Sequence, residues 1–115
     1  MTDSMSRRRR GAGVALVAAI GLLALNTTAF AKEDVTVSID NFVFKPQVLM
    51  IKPGTTVTFV NHDDIPHSIV EKGGKFKSKV LDTDESFKMT FDTVGDIGYF
   101  CGLHPHMTGR IVVAP

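Results

Sequence analysis

The sequence predicts an all-β domain over residues 32–115, built from short strands as a sandwich or a barrel. Apolar runs of four to seven residues, rich in Val, Ile, Thr and Phe, recur along this stretch. Pro, Gly, Asn and Asp separate these runs and mark the turns. No run after Ala31 keeps the helical period of about 3.6 residues that an amphipathic helix needs. The domain is therefore predicted to contain strands and turns only.

Seven strands are predicted, in chain order, over residues 35–39, 48–51, 55–61, 68–70, 86–91, 98–101 and 109–113. Turns are predicted at Lys52-Pro53-Gly54, at residues 71–74 and at Gly95-Asp96, because proline fixes one turn dihedral and glycine supplies the positive one. The domain has no Trp, so phenylalanine and methionine must supply the bulk of the core. The residues predicted to pack there are Phe42, Phe44, Phe59, Phe87, Phe91, Phe100, Met50 and Met89.

Residues 1–31 have the composition of a secretory signal peptide. Four arginines at positions 7–10 precede an uncharged run of 15 residues, and the segment ends in Ala29-Phe30-Ala31. A membrane anchor is the alternative, but a spanning helix needs about 20 apolar residues. We therefore expect a helical signal peptide that is cleaved after Ala31. This predicts a periplasmic protein whose mature form, residues 32–115, has no stable membrane span.

Charge and cysteine content narrow the functional classes. Residues 1–31 hold four basic residues and one acidic residue, so residues 32–115 keep nine basic against eleven acidic residues. A general affinity for nucleic acid is not indicated by this balance. The chain has one cysteine, so an intramolecular disulfide is impossible, and an unpaired thiol is a liability in an oxidising compartment. Ligation of a metal would resolve that problem, and we expect the domain to be a monomer.

The segment from Cys101 to Met107 carries the chemistry. It places a thiolate, an imidazole and a thioether within seven residues, a donor set soft enough to hold copper in both oxidation states. A second imidazole is needed, and His62 and His67 are the upstream candidates. A lone cysteine is more commonly a buried apolar residue, and a cysteine nucleophile beside His104 is a third interpretation. The His and Met at three-residue steps favour the metal site.

Each of the two candidate ligand segments, residues 61–67 and 101–107, contains two histidines. His67 is preferred over His62 because it follows Pro66 and leads into a predicted strand, so that its backbone is rigid. His104 is preferred over His106 because His106 neighbours Met107, and adjacent side chains of an extended segment point to opposite sides. His62 and His106 are therefore predicted to be exposed. Asn61 is expected to link the two ligand segments by hydrogen bonds.

These residues resemble those of the cupredoxins, the type 1 blue-copper proteins, and most of all the amicyanin group. The matching segments are Asn61 to His67, Gly98-Tyr99-Phe100-Cys101, the Cys-x-x-His-Pro-x-Met loop, and residues 109–113. The resemblance implies a Greek-key β-sandwich and one type 1 copper ion. By the same resemblance, its metal ligands are His67, Cys101, His104 and Met107.

The predicted function is that of a periplasmic electron carrier rather than an enzyme. The resemblance implies that the ring edge of His104 is the route for the electron. It also suggests a dehydrogenase as donor and a c-type cytochrome as acceptor. His106 stands where the amicyanin group carries an aromatic residue, which predicts a more polar docking face. The alternative function is a periplasmic protein that binds and delivers copper.

Overall fold

Eight β-strands form two four-stranded sheets in the computed structural model, which describes residues 33–115. The strands are β1 (Asp34–Asp40), β2 (Val43–Lys45), β3 (Val48–Ile51), β4 (Thr55–Asn61), β5 (Val70–Glu71), β6 (Ser86–Phe91), β7 (Gly95–Phe100) and β8 (Thr108–Val113). One sheet has the order β2-β1-β4-β6 and the other β3-β8-β7-β5. The all-β sandwich is thus confirmed, while the predicted signal peptide lies outside the described residues.

The chain passes repeatedly between the two sheets. Strand β1 pairs in parallel with β4, and β3 pairs in parallel with β8, whereas the other strand pairs are antiparallel. Parallel neighbours cannot be joined by a tight hairpin, so each such pair requires a longer connection. This is the Greek-key arrangement that the resemblance implies. It carries the ends of β4 and β7 to the same end of the sandwich.

Alternation along the strands builds the core. In β4 the side chains of Thr55, Val57, Phe59 and Asn61 are buried, and those between them are partly exposed. This period of two is what a strand with one face on the core requires. The fully buried apolar side chains come from both sheets and their connections, and they include Val37, Ile39, Phe44, Phe59, Ile69, Leu81, Tyr99 and Ile111.

Most strand predictions agree with the structure. The predicted strands 48–51, 55–61 and 86–91 have the observed bounds. The turn predicted at Gly95-Asp96 is wrong, because β7 begins at Gly95 and pairs with β8 from there. Residues 68–70 contribute only Val70 to β5. Strand β2 was not predicted, because the turn before it uses Asn41 and Phe42 at positive φ (56° and 61°) and carries no glycine or proline.

Two of the predicted core residues are exposed. Phe42 is 44% exposed and Met50 is 71% exposed, so neither belongs to the core. Phe44, Phe59 and Phe91 are buried, and Met89 packs against the core from a partly buried position. Residues 33–115 contain no helical segment with the length and hydropathy of a transmembrane span.

Candidate metal centre

His67 lies on the connection between β4 and β5 and is held by backbone pairing. Its N–H donates to Leu81 O at 3.1 Å, and its carbonyl accepts from Leu81 N at 2.7 Å. The side chain is fully buried. His62 is exposed, as predicted, with its Nδ1 3.7 Å from an Asp84 oxygen. The rigid segment therefore buries the side chain of His67 and leaves that of His62 in solvent.

The loop from Cys101 to Met107 is closed by three backbone hydrogen bonds. The N–H of Cys101 donates to Met107 O at 3.0 Å, that of His104 to Cys101 O at 3.2 Å, and that of Met107 to His104 O at 2.9 Å. Cys101 and Met107 are buried and His104 is half-buried, whereas His106 is exposed, as predicted. The three-residue steps thus place Cys101, His104 and Met107 in one tight loop.

The two segments meet at the Cys101 sulfur. Cys101 Sγ lies 3.5 Å from His67 Nδ1 and 3.6 Å from His104 Nδ1. One donor atom from each of these three side chains lies within 4.8 Å of the other two. Sulfur and nitrogen donors bound to one first-row metal ion at about 2.0–2.3 Å are separated by about 3.6 Å. The two sulfur–nitrogen distances are therefore those expected when the three side chains bind one metal ion.

Asp63 fixes the orientation of the His67 ring. His67 Nε2 donates to Asp63 Oδ2 at 2.9 Å, which leaves Nδ1 as the nitrogen that faces the sulfur. Burial alone raises the pKa of Asp63, but the N–H groups of Phe42 and Asn41 together with His67 outweigh that effect. The pKa of Asp63 therefore lies below its ordinary value of 3.8. The Asp63 carboxylate thus accepts a hydrogen bond from His67 Nε2, the arrangement that increases the basicity of a metal-binding imidazole.

Ser68 joins the two segments. Its backbone N–H points at Cys101 Sγ at 3.4 Å, and its hydroxyl accepts a hydrogen bond from Gly102 N at 3.0 Å. A side chain at position 102 would collide with this hydroxyl, because a Cβ there would lie 2.7 Å from Ser68 Oγ. Glycine at position 102 therefore permits the close approach of the two segments.

Comparison with known proteins agrees with the geometry. Residues 13–113 match the cupredoxin-like domain family. The chain belongs to the cupredoxin family. Amicyanin from Paracoccus versutus is 29% identical over 121 residues, which cover 84% of this chain and 92% of that protein. Plastocyanin from Scenedesmus fuscus is 37% identical over 97 residues, which cover 70% of this chain and 99% of that one.

The fold agrees with solved cupredoxin structures as well. A purple cupredoxin from Nitrosopumilus maritimus superposes with a TM-score of 0.65 at 33% identity, covering 70% of this chain and 100% of that one. The family includes the electron carriers amicyanin and plastocyanin. Both the family and the donor set support copper as the metal of this cupredoxin.

Asn61 has a different role from the one expected. Its amide donates to Ile65 O and Leu81 O, each at 2.9 Å, and its side-chain oxygen accepts from Asp63 N at 2.9 Å. Among residues 33–115 its side chain makes no hydrogen bond to the loop after Cys101. Asn61 therefore shapes the loop that carries His67, and Ser68 makes the link that was assigned to Asn61.

Three residues of this cupredoxin site were not predicted: Asp63, Ser68 and Phe42. Asp63 was assigned no role, Ser68 was predicted to begin a strand, and Phe42 was predicted to pack in the core. The Phe42 ring instead lies edge-on to the rings of His67 and His104, with centroids 5.2 and 5.0 Å apart. Pro66, directly before His67, was the available signal that the connection after β4, which holds Asp63, is rigid.

Proposed function

We propose that this cupredoxin is a one-electron carrier whose copper ion is held by His67, Cys101, His104 and Met107. The observation that supports this most is the fully buried Cys101 sulfur at 3.5 and 3.6 Å from two imidazole nitrogens. Copper, when bound, supplies the Cu(I)/Cu(II) couple, and a thioether as fourth donor is typical of blue-copper sites. Met107 is buried in the loop that closes on Cys101, in keeping with that role.

The residues around the four donors restrict their movement. The Asp63 carboxylate fixes the His67 ring, and the Ser68 N–H fixes the Cys101 sulfur. Backbone hydrogen bonds within residues 101–107 hold the loop. Donors held this way change position little when the charge of the bound ion changes. A small rearrangement favours rapid electron transfer, so the fold itself performs the main task of a carrier.

The His104 ring offers the shortest route between the site and solvent. His67 and Cys101 are fully buried and Met107 is 5% exposed, whereas His104 is half-buried. Exposed apolar side chains near it along the chain include Leu103, which is 48% exposed. We propose that a redox partner docks over this face and exchanges the electron through His104. The amicyanin resemblance favours a dehydrogenase as donor and a c-type cytochrome as acceptor.

The setting of the carrier is also proposed. Residues 1–31 have the composition of a cleaved signal peptide, which supports export and a periplasmic location. Electron exchange through a fixed metal site requires neither a substrate pocket nor a proton-transfer pair, so we propose a carrier and not an enzyme. We also propose that the carrier is a monomer.

A visible spectrum of the Cu(II)-loaded protein tests this proposal. We expect the intense absorption of thiolate-to-Cu(II) charge transfer, lost in Cys101→Ser and strongly altered in His67→Gln and His104→Gln. The exposed His62→Gln and His106→Gln are matched controls and should leave the spectrum unchanged. Met107→Leu should change the spectrum and the reduction potential, while Met50→Leu should change neither. A wild-type protein without this absorption band would contradict the proposal.

Electrochemistry separates a carrier from a copper-delivery protein. A carrier should cycle reversibly between its two states while keeping the metal. Rapid transfer of the ion to an apo-protein, without reversible cycling, would favour delivery and overturn the electron-carrier proposal.

A further inference from the structure

The turn between β1 and β2 brings a third segment to the candidate metal centre. The Phe42 ring contacts the His67 ring at a centroid distance of 5.2 Å and an interplanar angle of 89°. It contacts the His104 ring at 5.0 Å and 78°. Both contacts have the edge-to-face geometry that aromatic rings prefer. Phe42 is 44% exposed, so one side of its ring faces solvent while the other covers the two imidazoles.

The backbone of this turn is held by the same carboxylate that orients His67. Asn41 and Phe42 have positive φ values of 56° and 61°, a conformation that is costly for a bulky residue such as phenylalanine. Asp63 Oδ1 accepts a hydrogen bond from Asn41 N at 2.6 Å, and Oδ2 accepts one from Phe42 N at 2.9 Å. These two bonds stabilise the turn and direct Phe42 toward the site.

His104 is the imidazole that most needs such support. The His67 ring donates a hydrogen bond to Asp63 through Nε2. Within the described part of the chain, the His104 ring makes no comparable hydrogen bond, and its one polar contact is with Cys101 Sγ. The orientation of the His104 ring therefore depends on packing. Phe42 and His67 are the aromatic neighbours that pack against it.

We propose that Phe42 is a positioning residue that covers both imidazoles, holds the His104 ring in place and slows the release of copper. Asp63 acts through it, because its carboxylate sets the turn that presents Phe42. The inference rests on the proposed copper site and adds a residue outside the two ligand segments. The step it controls is rotation of the half-buried His104 away from the metal, the movement that opens the site to water.

The test measures the rate at which the Cu(I)-loaded protein releases copper to a chelator. Phe42→Ala removes two edge-to-face contacts, so we expect release about tenfold faster than in wild type. Phe42→Leu keeps apolar bulk but loses the ring, so its rate of copper release should lie between those of wild type and Phe42→Ala. Val43→Ala is the matched control, since Val43 is the neighbouring residue and is 43% exposed. It should release copper at the wild-type rate.

A second pair of variants tests the role of Asp63. Asp63→Asn keeps the size of the side chain but replaces one of the two carboxylate oxygens with an amide nitrogen. One oxygen is then left to accept hydrogen bonds from three N–H groups, so copper release should be faster than in wild type. The adjacent and exposed Asp64→Asn changes the net charge equally and should have no effect. Proton NMR of the Cu(I) form provides an independent readout. The His104 ring signals should broaden in the Phe42 variants while the His67 signals stay sharp.

The outcomes are distinct. If wild type shows no thiolate-to-Cu(II) absorption, the proposed function fails, and this inference fails with it because it rests on the copper site. If wild type is blue but Phe42→Leu and Phe42→Ala release copper no faster than Val43→Ala, the positioning role is overturned. It is also overturned if these variants slow only electron transfer to a partner, which would make Phe42 a docking residue. Should Phe42→Ala fail to fold, Phe42→Leu and the His104 ring signals decide the question.

Discussion

The backbone N–H of Ser68 points directly at the sulfur of Cys101, at 3.4 Å. These residues are 33 positions apart in sequence and lie on segments that follow different strands, β4 and β7. The Ser68 hydroxyl strengthens the connection by accepting a hydrogen bond from Gly102 N. A donor aimed at a metal-binding thiolate stabilises its negative charge and fixes its direction. Hydrogen bonds of the protein itself thus join the segment that carries His67 to the segment that carries Cys101.

Replacing Ser68 with alanine should weaken this connection in the metal-free protein. The substitution leaves the Gly102 N–H without its acceptor, which costs about 1 kcal/mol of the free energy of unfolding. Urea denaturation of the apo-protein measures it. Ser86→Ala, at an exposed position of β6, is the control and should be neutral. Equal stability of wild type and Ser68→Ala would show that the hydrogen bond contributes nothing.

Most of the candidate metal-binding residues were predictable because they lie close together in sequence. Cys101, His104 and Met107 fall within one loop, and Pro66 marks the rigid position of His67. The strand pattern was equally local, since alternation of apolar residues defined β4 and β6 to the residue. Local spacing therefore predicted most of the strands and three side chains that meet at one end of the sandwich, His67, Cys101 and His104.

The supporting residues were not predictable in the same way. Asp63 accepts hydrogen bonds from Asn41 and Phe42 over separations of more than 20 residues, and the parallel pairing of β1 with β4 brings these residues together. Phe42 was assigned to the core because it lies beside the apolar runs of a domain that has no Trp. Asparagine often adopts a positive φ, as Asn41 does, but the positive φ of Phe42 has no signal in the sequence. Such contacts follow from the topology and not from local pattern.

Tyr99→Phe should leave the stability unchanged or raise it by about 1 kcal/mol. Tyr99 is fully buried against Phe44 and Phe59, and its hydroxyl oxygen has no hydrogen-bond partner among residues 33–115. Burial raises the pKa of Tyr99, so the group stays neutral. Removing an unpaired buried hydroxyl while keeping the ring can be neutral or stabilising. A loss of more than about 1 kcal/mol in urea denaturation would indicate that the hydroxyl has a partner in solution.

Gly109→Ala should destabilise the protein by about 1–3 kcal/mol, the usual cost of overpacking a core. Strand β8 passes directly beneath the Tyr99 ring, and a Cβ at position 109 would overlap the ring atoms. Gly95→Ala is the matched control, because a Cβ at position 95 of the paired strand meets nothing within 4 Å. Thermal unfolding of both variants checks the prediction. Similar melting temperatures would mean that Tyr99 can move aside.

Glu71→Gln should weaken the dependence of stability on pH in the acidic range. The Lys75 N–H donates to the Glu71 carboxylate at 2.8 Å and lowers its pKa below the ordinary value of 4.5, against a smaller opposing effect of burial. A carboxyl group whose pKa is lower in the folded state stabilises the protein above its unfolded-state pKa. This stabilisation is lost as the pH falls through the folded-state pKa.

The measurement is urea denaturation of the apo-protein at a series of pH values from neutral to below 4.5. Wild type should lose stability more steeply than Glu71→Gln, because the amide cannot be protonated in this range. Asp92→Asn, an exposed carboxyl between β6 and β7, controls for the general change of charge. NMR titration of the Glu71 side chain gives the sign directly. A pKa at or above 4.5 would mean that the turn closed by Lys75 does not favour the charged form.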